Sequence, residues 1–465
     1  MNLVPGFQEL LQGLAPAMTA PSFVSLCTIV SGWLFSGRGI VTRMIVAAGS
    51  GATKHFSSYH RLFSTASWSL DAMGLAVFTM LEPFLGEVVM LGLDDTLARK
   101  RGLRMFGTGM HHDPLSSTRS LAFVRWGHSW VVLGVIVDLP FRPGHWIFLP
   151  LLFRLCLNSK SAAKHGTRYR TRPELGIEML RILCSAHENR RFHVVADSAY
   201  GGQNVLARLP DNCDLTSRLL LAARLYEAKP ERVPGTNGRP RKRGPRVASQ
   251  ADMLQGRCRC MSLSIYGRSY RSRISDQVAR VFAVPDRPLR IVASEALEGG
   301  RGKEAFYSTC HEASAEQVIR WYAMRWSVEV TFRDSKQSVG FEEPQGWSRK
   351  AVERTAPLAM LLHTLVVLWF AEEGIGCGGL RHSAGIPARP IHRSATCSVH
   401  CGGKAYGSMF WKWLRVAGVP ENWPDSWNTQ SRWRRDSHAF GPSSTCFVLE
   451  SEWSREGVSM PREPA

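Results

Sequence analysis

Tyr322-Ala-Met-Arg325-Trp-Ser-Val-Glu329-Val-Thr-Phe-Arg333-Asp-Ser-Lys336 is the stretch on which the reading of this 465-residue chain turns. Tyr, Arg, Glu and Lys follow one another with gaps of two, three and six residues. On a helix advancing about 100° per residue, Arg325, Glu329, Arg333 and Lys336 fall within one stripe about 80° wide. Trp321, Val328 and Phe332 gather beside that stripe, so the spacing predicts a helix with one face for docking and one for chemistry. A lone carboxylate among cations suits a metal ligand whose neighbours neutralise a polyanion. An ordinary amphipathic helix with an i,i+4 Glu329/Arg333 pair is the plainer alternative.

Working outward, two earlier segments place carboxylates at the ends of apolar runs. Val88-Val-Met-Leu-Gly-Leu93 leads into Asp94-Asp95-Thr96, and Arg191-Phe-His-Val-Val-Ala196 leads into Asp197-Ser-Ala-Tyr200-Gly-Gly. Both runs read as short buried strands that end in turns. Two further apolar runs, residues 128–138 and 145–153, lie between them and are separated by a Pro- and Gly-containing turn. The strand at 191–196 is therefore the fourth, and 214–219 a fifth. In a ribonuclease H-like sheet the first and fourth strands are neighbours, and a late helix can bring in a third carboxylate. Asp94, Asp197 and Glu329 then form a cluster of hard oxygens suited to two divalent ions and an in-line displacement at phosphorus. A lone Asp after a strand is more commonly a turn or helix cap; three in this order with the Tyr-Arg-Glu-Lys helix are harder to assign to chance.

The bulk properties agree with a nucleic-acid partner. Lys and Arg outnumber Asp and Glu 58 to 38 and give a net charge of +20, while 44% of residues are hydrophobic. Such a chain can bury a large core and is too basic for a typical metabolic enzyme. The longest apolar stretches, near 130–137 and 358–370, are shorter than the roughly 20 residues of a membrane span, so no membrane partner is expected. Residues 1–20 carry no leader pattern, and the expected location is cytoplasmic, on DNA. Eleven scattered cysteines contain no C-x-x-C pair and indicate neither a disulfide framework nor a zinc ribbon. His392, Cys397, His400 and Cys401 match no standard zinc spacing.

The predicted organisation is α/β in five parts. Residues 1–85 form a helical DNA-binding domain, with aromatic, hydroxyl and basic residues mixed around 55–63. Residues 86–220 are the first part of the ribonuclease H-like core. Residues 221–308 are a β-rich insertion preceding the last catalytic helix. Residues 309–372 complete the core, and 373–465 form a region of uncertain structure with Trp411, Trp413, Trp423, Trp427, Trp433 and Trp453 among scattered charges. Ser314 begins a capping box ahead of the signature helix. Inside the insertion, Gly238-Arg239-Pro-Arg241-Lys242-Arg243-Gly-Pro-Arg246 holds five basic residues in nine. That loop is expected to touch DNA phosphates, and groove reading is the sharper alternative.

Taken together, Leu93-Asp94-Asp95-Thr96, Val194-Val-Ala-Asp197-Ser-Ala-Tyr200-Gly and the Tyr322, Arg325, Glu329, Lys336 set make the chain resemble insertion-sequence transposases of the DDE class. The group resembled is the one carrying the Tyr-Arg-Glu-Lys signature, and the resemblance organises roughly residues 88–340. It implies a mobile-element enzyme that binds double-stranded DNA at its element ends, cleaves it as an endonuclease and joins 3′ ends to target DNA. It also implies two Mg²⁺ ions on Asp94, Asp197 and Glu329, with Mn²⁺ as a substitute, and self-association to pair two ends. Arg325 and Lys336 would hold DNA phosphates, and Tyr322 would support the same site. Asp94 is preferred to Asp95 as first ligand because Thr96 stands two positions after it, as Thr or Ser does in the proteins resembled; Asp95 is the alternative. Lys100, His111, His112 and Asp113 are read as a loop near the site and left outside it. The atypical tail keeps a second reading open, an inactive transposase-derived DNA-binding protein.

Overall fold

The computed structural model describes residues 5–373 apart from 37, 114–115, 119, 141–142, 232–240, 266–267, 283 and 298–301. The Trp-containing tail, the His392–Cys401 group and Arg239 lie outside the described residues. The chain opens with helices α1 (Pro5–Gln12), α2 (Ala20–Ser36), α3 (Val41–Ala48), α4 (Phe56–Ser64) and α5 (Leu70–Leu81). Ser69 caps α5 by accepting from the Ala72 amide, and a short Gly49–Gly51 turn separates α3 from α4.

Strands β1 (Val88–Arg99), β2 (Gly109–His112), β3 (Val124–Asp138) and β4 (Trp146–Cys156) follow. β1, β3 and β4 form an antiparallel meander. Two helices come next, α6 (Ser159–Lys164) and α7 (Arg172–Ala186), then β5 (Arg191–Ala196), which runs parallel to β1. A Thr171/Glu174 capping box with proline in the first turn starts α7. A one-turn helix, α8 (Gln203–Leu206), leads to β6 (Cys213–Arg218), parallel to β5. β3 is buried without interruption from Gly127 to Val137. Such a run needs cover on both faces of the sheet. α7 packs on one side, and three later or earlier helices reach β4 from elsewhere in the chain.

Residues 221–308 supply β7 (Leu225–Tyr226), β8 (Arg246–Val247), helix α9 (Gln250–Gln255), β9 (Arg259–Ile265), β10 (Arg268–Val281), β11 (Leu289–Ala296) and β12 (Lys303–Ser308). Their strands do not close a separate sheet. β12 pairs antiparallel with β6, and the order β2-β3-β1-β5-β6-β12-β11-β10-β7-β8 makes one mixed sheet among the described residues.

The Ser314/Gln317 capping box opens α10 (Ala315–Met324) as predicted. The signature segment is nevertheless two helices. Arg325 closes α10 and begins α11 (Trp326–Ser338), so Tyr322 belongs to the first helix and Glu329 to the second. α10 lies on the insertion: Val318 and Ile319 join Leu263, Ile274, Val292 and Phe306 in one apolar cluster, and the Tyr322 ring sits 4.7 Å from that of Phe306. α11 crosses to β1 and β4 instead, with Val328 fully buried and Phe332 edge-on to Phe148.

The last described helix, α12 (Arg349–Glu373), is long and apolar enough to cross a membrane by composition. Most of that stretch is buried against β4, α1, α4 and α5. Arg354 on α12 donates to the carbonyls of Phe63, Ala66 and Trp68, tying α12 to the end of α4. Residues 339–344 make a second tie. Val339 accepts from Trp33 Nε1, and Glu343 accepts from Arg38 and the Gly39 amide.

Candidate active site

Adjacent residues of a strand point to opposite faces, and this decides the surroundings of the Asp94-Asp95 pair. Asp94 shares its face with Gly92, two residues earlier. A Cβ on Gly92 would stand 2.8 Å from Val328 Cγ2 and 2.9 Å from the Phe148 ring, so glycine here lets α11 lie directly on β1. Asp94 therefore looks toward the start of α11, and its Oδ2 accepts from Arg325 Nη1 at 2.9 Å. The other arm of the guanidinium, Nη2, donates to Glu329 Oε1 at 2.7 Å. One cation spans two carboxylates that lie 235 residues apart in sequence.

Asp95 faces the α7 side. It accepts from the Tyr200 hydroxyl at 3.0 Å and pairs with Arg172 at 3.2 Å. Tyr200 follows Asp197 by three residues, so this bond ties the turn after β5 to β1. Asp197 continues β5 just past the Leu93–Ala196 register pair. Its Oδ1 accepts from the Ser198 amide, and its carbonyl accepts from Ser217 of β6.

Electrostatics register the crowding. Burial pushes the Asp94 carboxyl up to about 7; the negative charges of Asp95 and Asp197 add to this, and Arg325 opposes it. Burial also raises Asp95, against the pull of Arg172 and the Tyr200 bond, with Asp197 adding to the rise. Tyr200 is raised well above its usual value by burial and by Asp95. Arg325 loses some basicity to burial, but Asp94, Tyr322 and Glu329 hold it above its ordinary value. Hard carboxylate oxygens that resist ionisation together are the donor set a divalent cation suits. Among the described residues, no three His, Cys, Asp or Glu side chains close into a metal-holding group. Arg325 bridges Asp94 and Glu329 where such a group would close.

The other predicted residues divide sharply. Tyr322 lies under Arg325, with the guanidinium carbon 5.8 Å from the ring centre. Lys336 sits at the far end of α11, donating to the Leu97 carbonyl at 2.9 Å and standing 3.7 Å from Glu342; burial lowers its basicity. Its charge is thus already partnered inside the protein. Arg241, Lys242 and Arg243 are all exposed, and Arg243 stacks 4.6 Å from the Tyr226 ring centre and donates to its hydroxyl.

Lys100 and the two histidines are not on a free loop. Lys100 follows β1 directly and donates to the Glu342 and Pro344 carbonyls, and His111 and His112 belong to β2. Arg172 and the Asp95–Tyr200 bond were missed from sequence. The signal available for the bond was only that Tyr200 stands in the same turn as Asp197.

The family model described as DDE superfamily endonuclease matches residues 14–270. The match takes in Asp94, Asp95 and Asp197 and ends before Glu329. No curated protein matches the chain.

Proposed function

Because the chain belongs to the DDE superfamily endonuclease family, whose members are metal-dependent nucleases acting on DNA, we propose that it is a transposase of the Tyr-Arg-Glu-Lys group. On this reading it binds the ends of its element, cleaves DNA and joins the 3′ ends to a target. The observation that carries the reading is the Arg325 fork, which draws Glu329 of α11 to the carboxylate of β1. The strand order β4-β3-β1-β5-β6, with β5 and β6 parallel to β1, supports a ribonuclease H-like core. The helices before β1 are assigned to DNA binding, the 221–308 segment remains the insertion, and the protein acts on cytoplasmic DNA as a self-associating pair.

Asp94, Asp197 and Glu329 would hold two Mg²⁺ ions, which Mn²⁺ can replace. Bound there, the ions would activate water or a 3′-hydroxyl and stabilise the leaving oxygen. The chain's own residues supply the rest. Tyr200 and Asp95 fix the Asp197 turn against β1, and the Gly92–Val328 contact sets the depth of α11. Arg325, whose two prongs hold Asp94 and Glu329 in this structure, would be free to hold a DNA phosphate when those carboxylates bind cations.

The test is cleavage of a supercoiled plasmid carrying the element ends in Mg²⁺. The parent is expected to release the element, and Glu329→Gln to release none. A parent that binds the ends yet never cuts them would favour the second reading, a DNA-binding protein without catalysis. The end of the family match before Glu329 is the observation on that side.

A further inference from the structure

Register places a second feature on the face of Asp94. Residues directly opposite across paired strands share a face, so Asp94/Val132, Thr96/Trp130 and Ala98/His128 form successive rows, and Met110/Trp126 and His112/Val124 continue them onto β2. The first rows are covered by α11 and by Phe341, whose ring lies 6.5 Å from Trp130. The last rows are open: Met110 is 50% and Val124 53% exposed. Two further side chains extend the open patch, Leu103 at 73% and Trp347 at 72% exposure. The loop carrying Leu103 is fixed to it by the Trp126 Nε1 bond to the Gly102 carbonyl at 3.1 Å. Trp347 is fixed by its carbonyl, which accepts from the Phe106 amide at 2.9 Å.

The rim is basic. No Asp or Glu occurs from Thr96 to His112. Arg101, Arg104 and Lys350 are exposed and have no ion-pair partner among the described residues. The neighbouring carboxylates are all engaged: Asp113 with Arg99, Glu342 with Lys336, Glu343 with Arg38, Glu353 with Arg349. A flat aromatic ring open to solvent among uncompensated cations offers a stacking platform for a base and sites for the phosphates beside it. Like charge opposes a second copy of the chain docking here.

We propose that Trp347 and Leu103, with Arg101, Arg104 and Lys350, bind an unpaired stretch of the DNA strand that leaves the Asp94 site. The proposal rests on the nuclease reading. From Val132, opposite Asp94, to Trp126 is six residues of β3, or about 20 Å at roughly 3.3 Å per residue. That distance corresponds to about six nucleotides of strand.

The experiment measures binding of dye-labelled duplexes, blunt or with a ten-nucleotide single-stranded overhang, by fluorescence anisotropy across a salt series in EDTA. Trp347→Ala should weaken overhang binding about 5- to 150-fold with little change in salt slope, as loss of one stacked base does. Trp347→Phe should keep most of the affinity. Arg101→Ala with Arg104→Ala should make the log–log salt slope shallower by about 1.4, at about 0.7 per lost phosphate contact on a single strand. The proposal is overturned if Trp347→Ala binds the overhang as the parent does, or if blunt duplex loses as much as overhang. It is equally overturned if sedimentation without DNA shows that Trp347→Ala dissociates a dimer. A parent that binds with this pattern but cuts nothing in Mg²⁺ would sink the nuclease reading and leave the platform standing.

Discussion

Asp94 and Asp95 are neighbours in the chain and belong to different halves of the molecule. Asp94 meets Arg325, which stands 231 residues later at the junction of α10 and α11, and shares it with Glu329. Asp95 meets Arg172 and the hydroxyl of Tyr200, and the second of these ties the Asp197 turn to β1. One face gathers two carboxylates around Arg325; the other braces the Asp197 turn against β1. A pleat gives neighbouring residues different partners more surely than distance in sequence does.

The largest expected effect breaks this comparison directly. Asp94→Asn should lower plasmid cleavage roughly 10³-fold, the scale of losing one main electrostatic group at a reacting centre. Asp95→Asn and Tyr200→Phe should each cost about 10- to 100-fold, as supporting partners of metal ligands do. Both can be read from initial rates in Mg²⁺. Equal losses at Asp94 and Asp95 would erase the distinction between the two faces.

Gly92→Ala probes the α11 face without touching a carboxylate. Its methyl would enter the space of Val328 and Phe148, so α11 must shift. A loss of about 1–3 kcal/mol in urea unfolding is expected for such overpacking, together with slower cleavage. The matching change at Gly166, with open space around its Cβ position, tests only backbone strain at a φ of 61° and should leave the site's cleavage rate alone.

The smallest effect is a pH dependence carried by histidines on the Asp94 face. Burial, reinforced by the Lys100 charge, lowers His128 to about 3, and burial lowers His193 to about 4. A depressed folded value means that stability is complete above the unfolded value near 6.5 and is lost as pH falls toward the folded value. At pH 5 the loss from His128 alone is about 2 kcal/mol, at about 1.4 kcal/mol per pH unit. His128→Gln should therefore flatten the stability profile between pH 6.5 and 4, measured by thermal melting.

Much of this frame was legible in the sequence because apolar runs lead into Asp94 and Asp197, but only β5 ends where expected. β1 continues past Asp94 to Arg99, held by its pairing with β3, so Asp94 and Asp95 lie within a strand and not in a turn. The break in the signature helix was not legible. Arg325 keeps helical angles, φ −53° and ψ −29°, and no Pro or Gly announces the change of direction. The internal partners of Lys336, the Leu97 carbonyl and Glu342, were not legible because they come from other segments. The pairing of β12 with β6 was equally hidden, since local patterning carries no register across some ninety residues of insertion. The β2 segment, Gly-Met-His-His, lacks the β-branched alternation that would have marked it as a strand.

We propose Asp94, on the α11 face, as the first metal ligand. Mn²⁺ binding followed by electron paramagnetic resonance on the purified protein, in the parent and in the Asp94→Asn and Asp95→Asn variants, tests it most directly. Asp94→Asn is expected to abolish specific Mn²⁺ binding, while Asp95→Asn retains it with weakened affinity. Binding lost in Asp95→Asn and kept in Asp94→Asn would contradict it.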